Sequence, residues 1–227
     1  MFAVKSSSRS RTEPKLRRSY ERIGMNELAL LQLARVKGLL SAEAASIALG
    51  VDGESISRAF EEFLAKGWLG STARGWRLTP EGRKIVSRMV EEERSALDSD
   101  ALSALYRQFC EVNAELKATM TAWQLRADGT PNEHTDDDYD RAVVARLSLL
   151  HAGADPLIEQ IAHAAPRLAH YRKRLAAALD KIRQGEPAFV ARPIIDSYHT
   201  VWFELHEDLM AINGLTRAAE ARAGRAQ

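Results

Sequence analysis

The sequence predicts a mainly α chain: a small N-terminal helical unit that carries one β-hairpin, followed by a bundle of longer helices. Three observations lead there. Apolar residues recur at helical spacing through most of the chain; only residues 68–79 alternate like paired strands; and capping residues mark short helices before that point and long ones after it.

The 227 residues suffice for one large or two modest domains with a buried core. The expected division is a basic flexible arm at 1–20, a unit with the hairpin at 21–97 and a helical bundle at 98–227. Residues 1–95 hold 17 Lys/Arg against 12 Asp/Glu, a net +5, and the remainder holds 15 against 19, a net −4. That asymmetry permits one half to face nucleic acid. Cys110 is the only cysteine, so an intramolecular disulfide is excluded. No apolar run approaches the roughly 18–20 residues that cross a bilayer. The first residues lack the apolar segment of a secretory signal, so a cytoplasmic chain with no membrane partner is expected.

Residues 1–20 set Lys5, Arg9, Arg11, Lys15, Arg17 and Arg18 against a single acid, Glu13. Such a composition buries little apolar surface and suits an arm that holds DNA phosphates or a minor groove. Leu28, Leu31, Leu33 and Val36 then describe a helix from about Met25, with Asn26 as its cap, ended by Gly38. Ser41 caps a second helix, whose buried side is expected from Ala45, Ile47, Ala48 and Leu49 and which Gly50 ends. Asp52 caps a third, Gly53 to Lys66, stopped by Gly67. Its core positions are Ile56, Phe60 and Phe63, leaving Ser55, Ser57, Arg58 and Glu62 for the outside.

Two short helices around a tight glycine turn make a helix-turn-helix, the second helix being the one that reads DNA. Trp68-Leu69-Gly70, a small turn through Arg74, and Trp76-Arg77-Leu78 form the hairpin. Thr79 then caps a further helix to about Leu97, with Pro80 at its first position and Ile85, Met89 and Val90 on its apolar side.

The stretch from Leu40 to Arg83, with Ile56-Ser57-Arg58 in the third helix and Leu78-Thr79-Pro80-Glu81-Gly82 after the hairpin, resembles bacterial winged helix-turn-helix regulators of the MarR type. The likeness covers about residues 25–97. It implies that Ser55, Ser57 and Arg58 approach the major groove and that Arg74, at the wing tip, approaches the minor groove or its phosphates. Arg77 on the second strand and Arg17 and Arg18 of the arm complete the expected DNA-facing set. Glu54, Glu61 and Glu62 depart from a strongly basic reading helix.

Beyond residue 97, Leu102, Leu105, Phe109, Val112, Leu116, Met120 and Trp123 form one helical stripe. Turn residues fill 127–138, and a helix from Tyr139 to Leu150 with Val143, Val144 and Leu147 buried is expected to end at Gly153-Ala154-Asp155-Pro156. The next helix, Pro156 to Arg183, should break or kink at Pro166. Gly185-Glu186-Pro187 stops it, and a last helix runs from about Asp196 to Ala221. The stripe and the surface around Trp202 exceed what one small bundle needs to bury, which predicts a homodimer.

The sequence thus predicts a dimeric transcriptional repressor that binds double-stranded DNA, with no catalytic residues and no cofactor. A small-molecule effector is a candidate ligand of the bundle, with Trp123, Arg146, His199, Trp202 and His206 as its possible contacts and Arg146 or Arg167 as partners for a ligand carboxylate. Tyr139, Tyr171, Tyr198 and Phe203 read as packing. Two other readings stay open: a protein–protein adaptor that contacts no DNA, and a metal-binding helical-bundle enzyme built on the histidines. Against the second, Glu204-Leu205-His206 has the wrong spacing to share a helix face, and no metal is assigned.

Overall fold

The computed structural model describes residues 27–222, and it is mostly helical with one two-stranded antiparallel sheet. The basic arm with Arg17 and Arg18, and the Asn26 cap, lie outside the described residues. Helix α1 (Glu27–Lys37) buries Leu28, Leu30, Leu31, Leu33 and Ala34 on nearly every side. A helix buried round most of its circumference, with its buried Gln32 given a polar partner, belongs in an interior. The elements α4 (Pro80–Ala96) and α9 (Tyr198–Ile212), together with the hairpin, all pack on α1.

The short helices begin where the caps predict. Ser41 Oγ accepts from the Ala44 N–H (3.1 Å) at the start of α2 (Ala42–Leu49), and Gly50 closes it in the left-handed conformation. Asp52 Oδ1 accepts from the Ser55 N–H (2.8 Å) at the start of α3 (Gly53–Ala65). Strands β1 (Leu69–Thr72) and β2 (Gly75–Leu78) pair Leu69 with Leu78 and Thr72 with Gly75. Thr79 Oγ1 accepts from the Gly82 N–H at the start of α4 and donates to the Gly67 carbonyl, which joins the end of the hairpin to the end of α3. Two burial expectations fail in this unit. Ile47 is 68% exposed, because α2 turns only Ala45 and Ala48 fully inward. Ser55 is buried, because it occupies the first turn of α3 beside core Ile56.

Helices α5 (Ser99–Gln124) and α6 (Asp137–Ala164) form a long hairpin whose facing sides make the most extensive helix contact among the described elements. The expected break at Gly153–Pro156 is absent: α6 runs straight through Pro156. Its inward positions Leu150, Ala154, Leu157, Ile158 and Ile161 keep helical spacing across the proline. Their packing offsets the lost backbone bond, a cost of about 3 kcal/mol. Pro166 does interrupt the path, starting one turn of 3-10 helix (Pro166–Ala169) before α7 (His170–Arg183). The short α8 (Ala188–Ala191) follows, and the last expected helix is two: α9 ends at Ile212, Gly214 takes φ 68°, and α10 spans Arg217–Arg222.

Helix α9 is the axis of the bundle. Tyr198, Val201, Trp202, Leu205 and Leu209 are fully buried against α5, α7, α8, α1 and α4. The surface around Trp202 and the stripe from Leu102 to Trp123 are therefore covered within one chain. Among the described residues, no helix is long and apolar enough to cross a membrane.

Candidate functional site

Helix α3 exposes Gly53, Glu54, Arg58, Glu61, Leu64 and Ala65. Arg58 is 58% exposed, with Nη1 3.8 Å from Glu54 Oε1 and Nη2 3.3 Å from Ser55 Oγ. An exposed ion pair of that length holds an arginine weakly, so Arg58 is free to exchange Glu54 for another anion. Ser57 is half-buried and donates from Oγ to the Gly53 carbonyl (2.8 Å). Ser55 is turned inward and offers nothing to a partner except through Arg58. The Ser55 backbone N–H, with its hydroxyl, holds the Asp52 carboxyl below the usual range, which keeps the cap charged at the helix start.

The hairpin places two more guanidinium groups outside. Arg74 sits in the turn, where its N–H donates to Thr72 Oγ1 (3.3 Å), and Arg77 lies opposite Gly70 on the exposed face. Their scaffold is fixed on both sides. Leu40 and Trp76 exchange backbone hydrogen bonds of 2.9 Å each way. Gly75 permits that approach, since a Cβ there would lie 2.7 Å from the Leu40 carbonyl oxygen. Phe60 of α3 meets Trp76 at 4.6 Å between ring centroids, and Phe63 meets Trp68 at 5.7 Å. Arg58, Arg74 and Arg77 thus ride on two elements that share one aromatic seam.

The bundle candidates do not converge. Trp202 is fully buried, donates from Nε1 to Asn113 Oδ1 (3.0 Å) and stacks on Phe109 at 4.8 Å. His206 is buried with Nε2 3.2 Å from Tyr106 Oη. The Tyr106 hydroxyl donates to Glu220 Oε2 (2.6 Å), so His206 Nε2 carries the hydrogen in that contact. Burial pushes the His206 pKa down to about 4 and lowers that of half-buried His199 as well. Arg146 is exposed beside a groove lined by Val112 and Leu149, whereas Trp123 lines a different and larger one.

Arg167, a candidate partner for a ligand carboxylate, is corrected by its surroundings. It is 1% exposed and already held by Asp208 and by Glu93 at 2.9 Å. It belongs to a buried polar array that joins α1 and α4 to the bundle. Asp208 also accepts from Gln32 Nε2 (2.9 Å) and from the Tyr171 hydroxyl (2.8 Å). Beside it, Lys37 and Arg174 alternate with Asp196 and Glu204 in a closed ring of contacts between 2.6 and 2.8 Å. Burial raises the Glu93 carboxyl, opposed by the charge of Arg167. Burial likewise acts to raise Asp196, but Arg174 and Lys37 bring it below the usual range.

A second cluster escaped the sequence reading, which took residues 127–138 only as a turn. Asn132 is 7% exposed; its Nδ2 donates to the Trp123 carbonyl (3.1 Å) and to Asp140 Oδ1 (2.8 Å). Asp140 Oδ2 lies 2.8 Å from His134 Nδ1. The pattern Asn-x-His before the capping Asp136 was the available signal, since buried turn asparagines commonly brace a loop.

Among the described residues, no group of three or more His, Cys, Asp or Glu is arranged to hold a metal ion. Comparison of the chain with family models, curated proteins and solved structures gives no match.

Proposed function

We propose that the chain is a sequence-specific DNA-binding regulator, a repressor acting as a dimer, with a winged helix-turn-helix at residues 21–97. One observation carries the reading: Arg58, Arg74 and Arg77 stand exposed on α3 and on the hairpin, which the Phe60–Trp76 contact locks together. A helix that reads base edges and a wing that reaches phosphates need that fixed separation. Leu40, joined to Trp76 by a single antiparallel bridge, braces the hairpin against the start of α2. Arg58 is the base-reading side chain, supported by Ser57. Arg74 and Arg77 are phosphate contacts. Two copies reading two half-sites give the buried surface that one short helix lacks.

The test is selection of duplex fragments by the full-length protein, followed by titration of the selected duplex across a range of salt. Binding that is sequence-selective and weakens steeply with salt supports the reading. Binding that is absent, or equal for all duplexes and insensitive to Arg58, moves the chain to the protein-adaptor class. Sedimentation of the complex gives the number of copies bound.

A further inference from the structure

We propose that the groove at the end of the bundle, between Trp123 and Arg192, binds a small organic anion. Its expected ligand has a planar apolar body, an anionic group and an N–H or O–H donor. The groove holds about 810 Å³, framed by the end of α5, the first turns of α6, the end of α7 and the start and end of α8. That lies within the roughly 300–1,000 Å³ typical of small-molecule sites. Trp123, Val144, Ile182 and Ala188 give it an apolar floor.

The donor requirement comes from His134. Its backbone has φ 53°, and Ile194 is the other non-glycine with positive φ among the described residues. A histidine held there is strained, and such strain persists only where neighbours over-determine it. They do: the ring lies 4.4 Å from the Trp123 ring, and Nδ1 is 2.8 Å from Asp140 Oδ2, with Asp140 itself braced by Asn132. A carboxylate only accepts, and both Asn132 Nδ2 hydrogens are used on the Trp123 carbonyl and Asp140, so Nδ1 donates to Asp140; in the neutral ring Nε2 then keeps a lone pair. Among the described residues Nε2 has no partner, and the side chain is 43% exposed in the groove wall. A histidine so oriented accepts a hydrogen from a donor held in the groove.

The anion requirement comes from the opposite wall. Arg192 makes no ion pair among the described residues, and Arg183 meets only the exposed Asp180 at 3.6 Å. Both guanidinium groups line the groove and remain available for carboxylate or phosphate. This site goes beyond the DNA-binding reading above, giving the bundle the small-molecule effector its sequence suggests, and its test contains no DNA, so failure of one leaves the other standing.

The experiment is calorimetric titration of the full-length protein with indole-3-acetate. Tryptamine keeps the ring and the N–H but reverses the charge; 1-methylindole-3-acetate keeps the charge but lacks the donor. The expected result is one site per chain with indole-3-acetate favoured over each analogue by about tenfold, the scale of one lost hydrogen bond. Arg192→Glu should abolish the preference for the acid. His134→Asn, which tolerates the same backbone conformation, should abolish the preference over the N-methyl compound. Arg146→Glu, in the neighbouring groove, should change neither. No binding at millimolar indole-3-acetate overturns the proposal. So does binding without preference for the acid, or an equal loss in Arg146→Glu and Arg192→Glu.

Discussion

Arg167 Nη1 lies 2.9 Å from one carboxylate oxygen of Asp208 and 3.0 Å from the other, with both side chains 1% exposed. Replacing Arg167 by Met would leave Asp208 buried with only Gln32 and Tyr171 as donors. Losing one partner of a buried ion pair costs about 3–5 kcal/mol, because the remaining charge stays desolvated. We expect a large fall in the urea midpoint of Arg167→Met. An unchanged midpoint would mean that the pair contributes nothing net.

Arg58→Ala should weaken binding to the selected duplex by about 1–3 kcal/mol and relax its sequence preference. Anisotropy titrations against the selected and a scrambled duplex measure both effects. Equal affinities for mutant and wild type would remove Arg58 from base reading.

Arg74→Ala and Arg77→Ala should instead weaken all duplexes alike, each lowering the salt slope by about 1. Deletion of residues 2–18, which carries six basic residues and one acid, should flatten that slope further. A slope that stays the same would place these groups away from the phosphates.

Gly82→Ala tests the joint between hairpin and α4. A Cβ there would overlap the Trp68 carbonyl and sit 2.9 Å from its carbon, and backbone cannot move aside as a side chain can. The expected loss is at the upper end of overpacking effects, about 3 kcal/mol or more. A melting temperature within a degree or so of wild type would contradict it, given the usual few degrees per kcal/mol.

Acid should destabilise the fold through His206, whose pKa falls from 6.5 to about 4 on burial. The unfolded chain takes up that proton first. Stability is therefore full above about pH 6.5 and declines as pH drops towards 4, by at most about 1.4 kcal/mol per pH unit from this site. His170 shifts in the same direction for the same reason, burial, also to about 4. Denaturation midpoints of His206→Gln and wild type should converge as pH falls through this window. Parallel curves would assign the acid response to other groups.

Much of the local structure was legible because it is encoded within four residues. Ser41, Asp52 and Thr79 each bond the N–H three positions on, and the hairpin turns where Arg74-Gly75 permit. Pro156 misled because a proline reads as a break unless packing on both sides outweighs its cost. The break after Ile212 was missed because Asn213-Gly214 is short and lies between two helical patterns. Glu93, Arg167 and Asp208 stand far apart in sequence, so no spacing rule connects them. His134 resembles any loop histidine until its backbone angle and the Asp140 contact are known.

The return of α9 to α1 also fixes an order of events during synthesis. Helix α1 lies against α9, and Gln32 and Lys37 find their carboxylate partners at Asp208, Asp196 and Glu204. A ribosome that has released only the first hundred residues therefore holds α1 with an apolar side uncovered and Lys37 unmatched. At roughly 5–20 residues per second, several seconds pass before residue 212 emerges. The segment proposed to read DNA completes its interior only after α9 has been made. A product truncated before α9 would therefore keep that apolar side of α1 exposed.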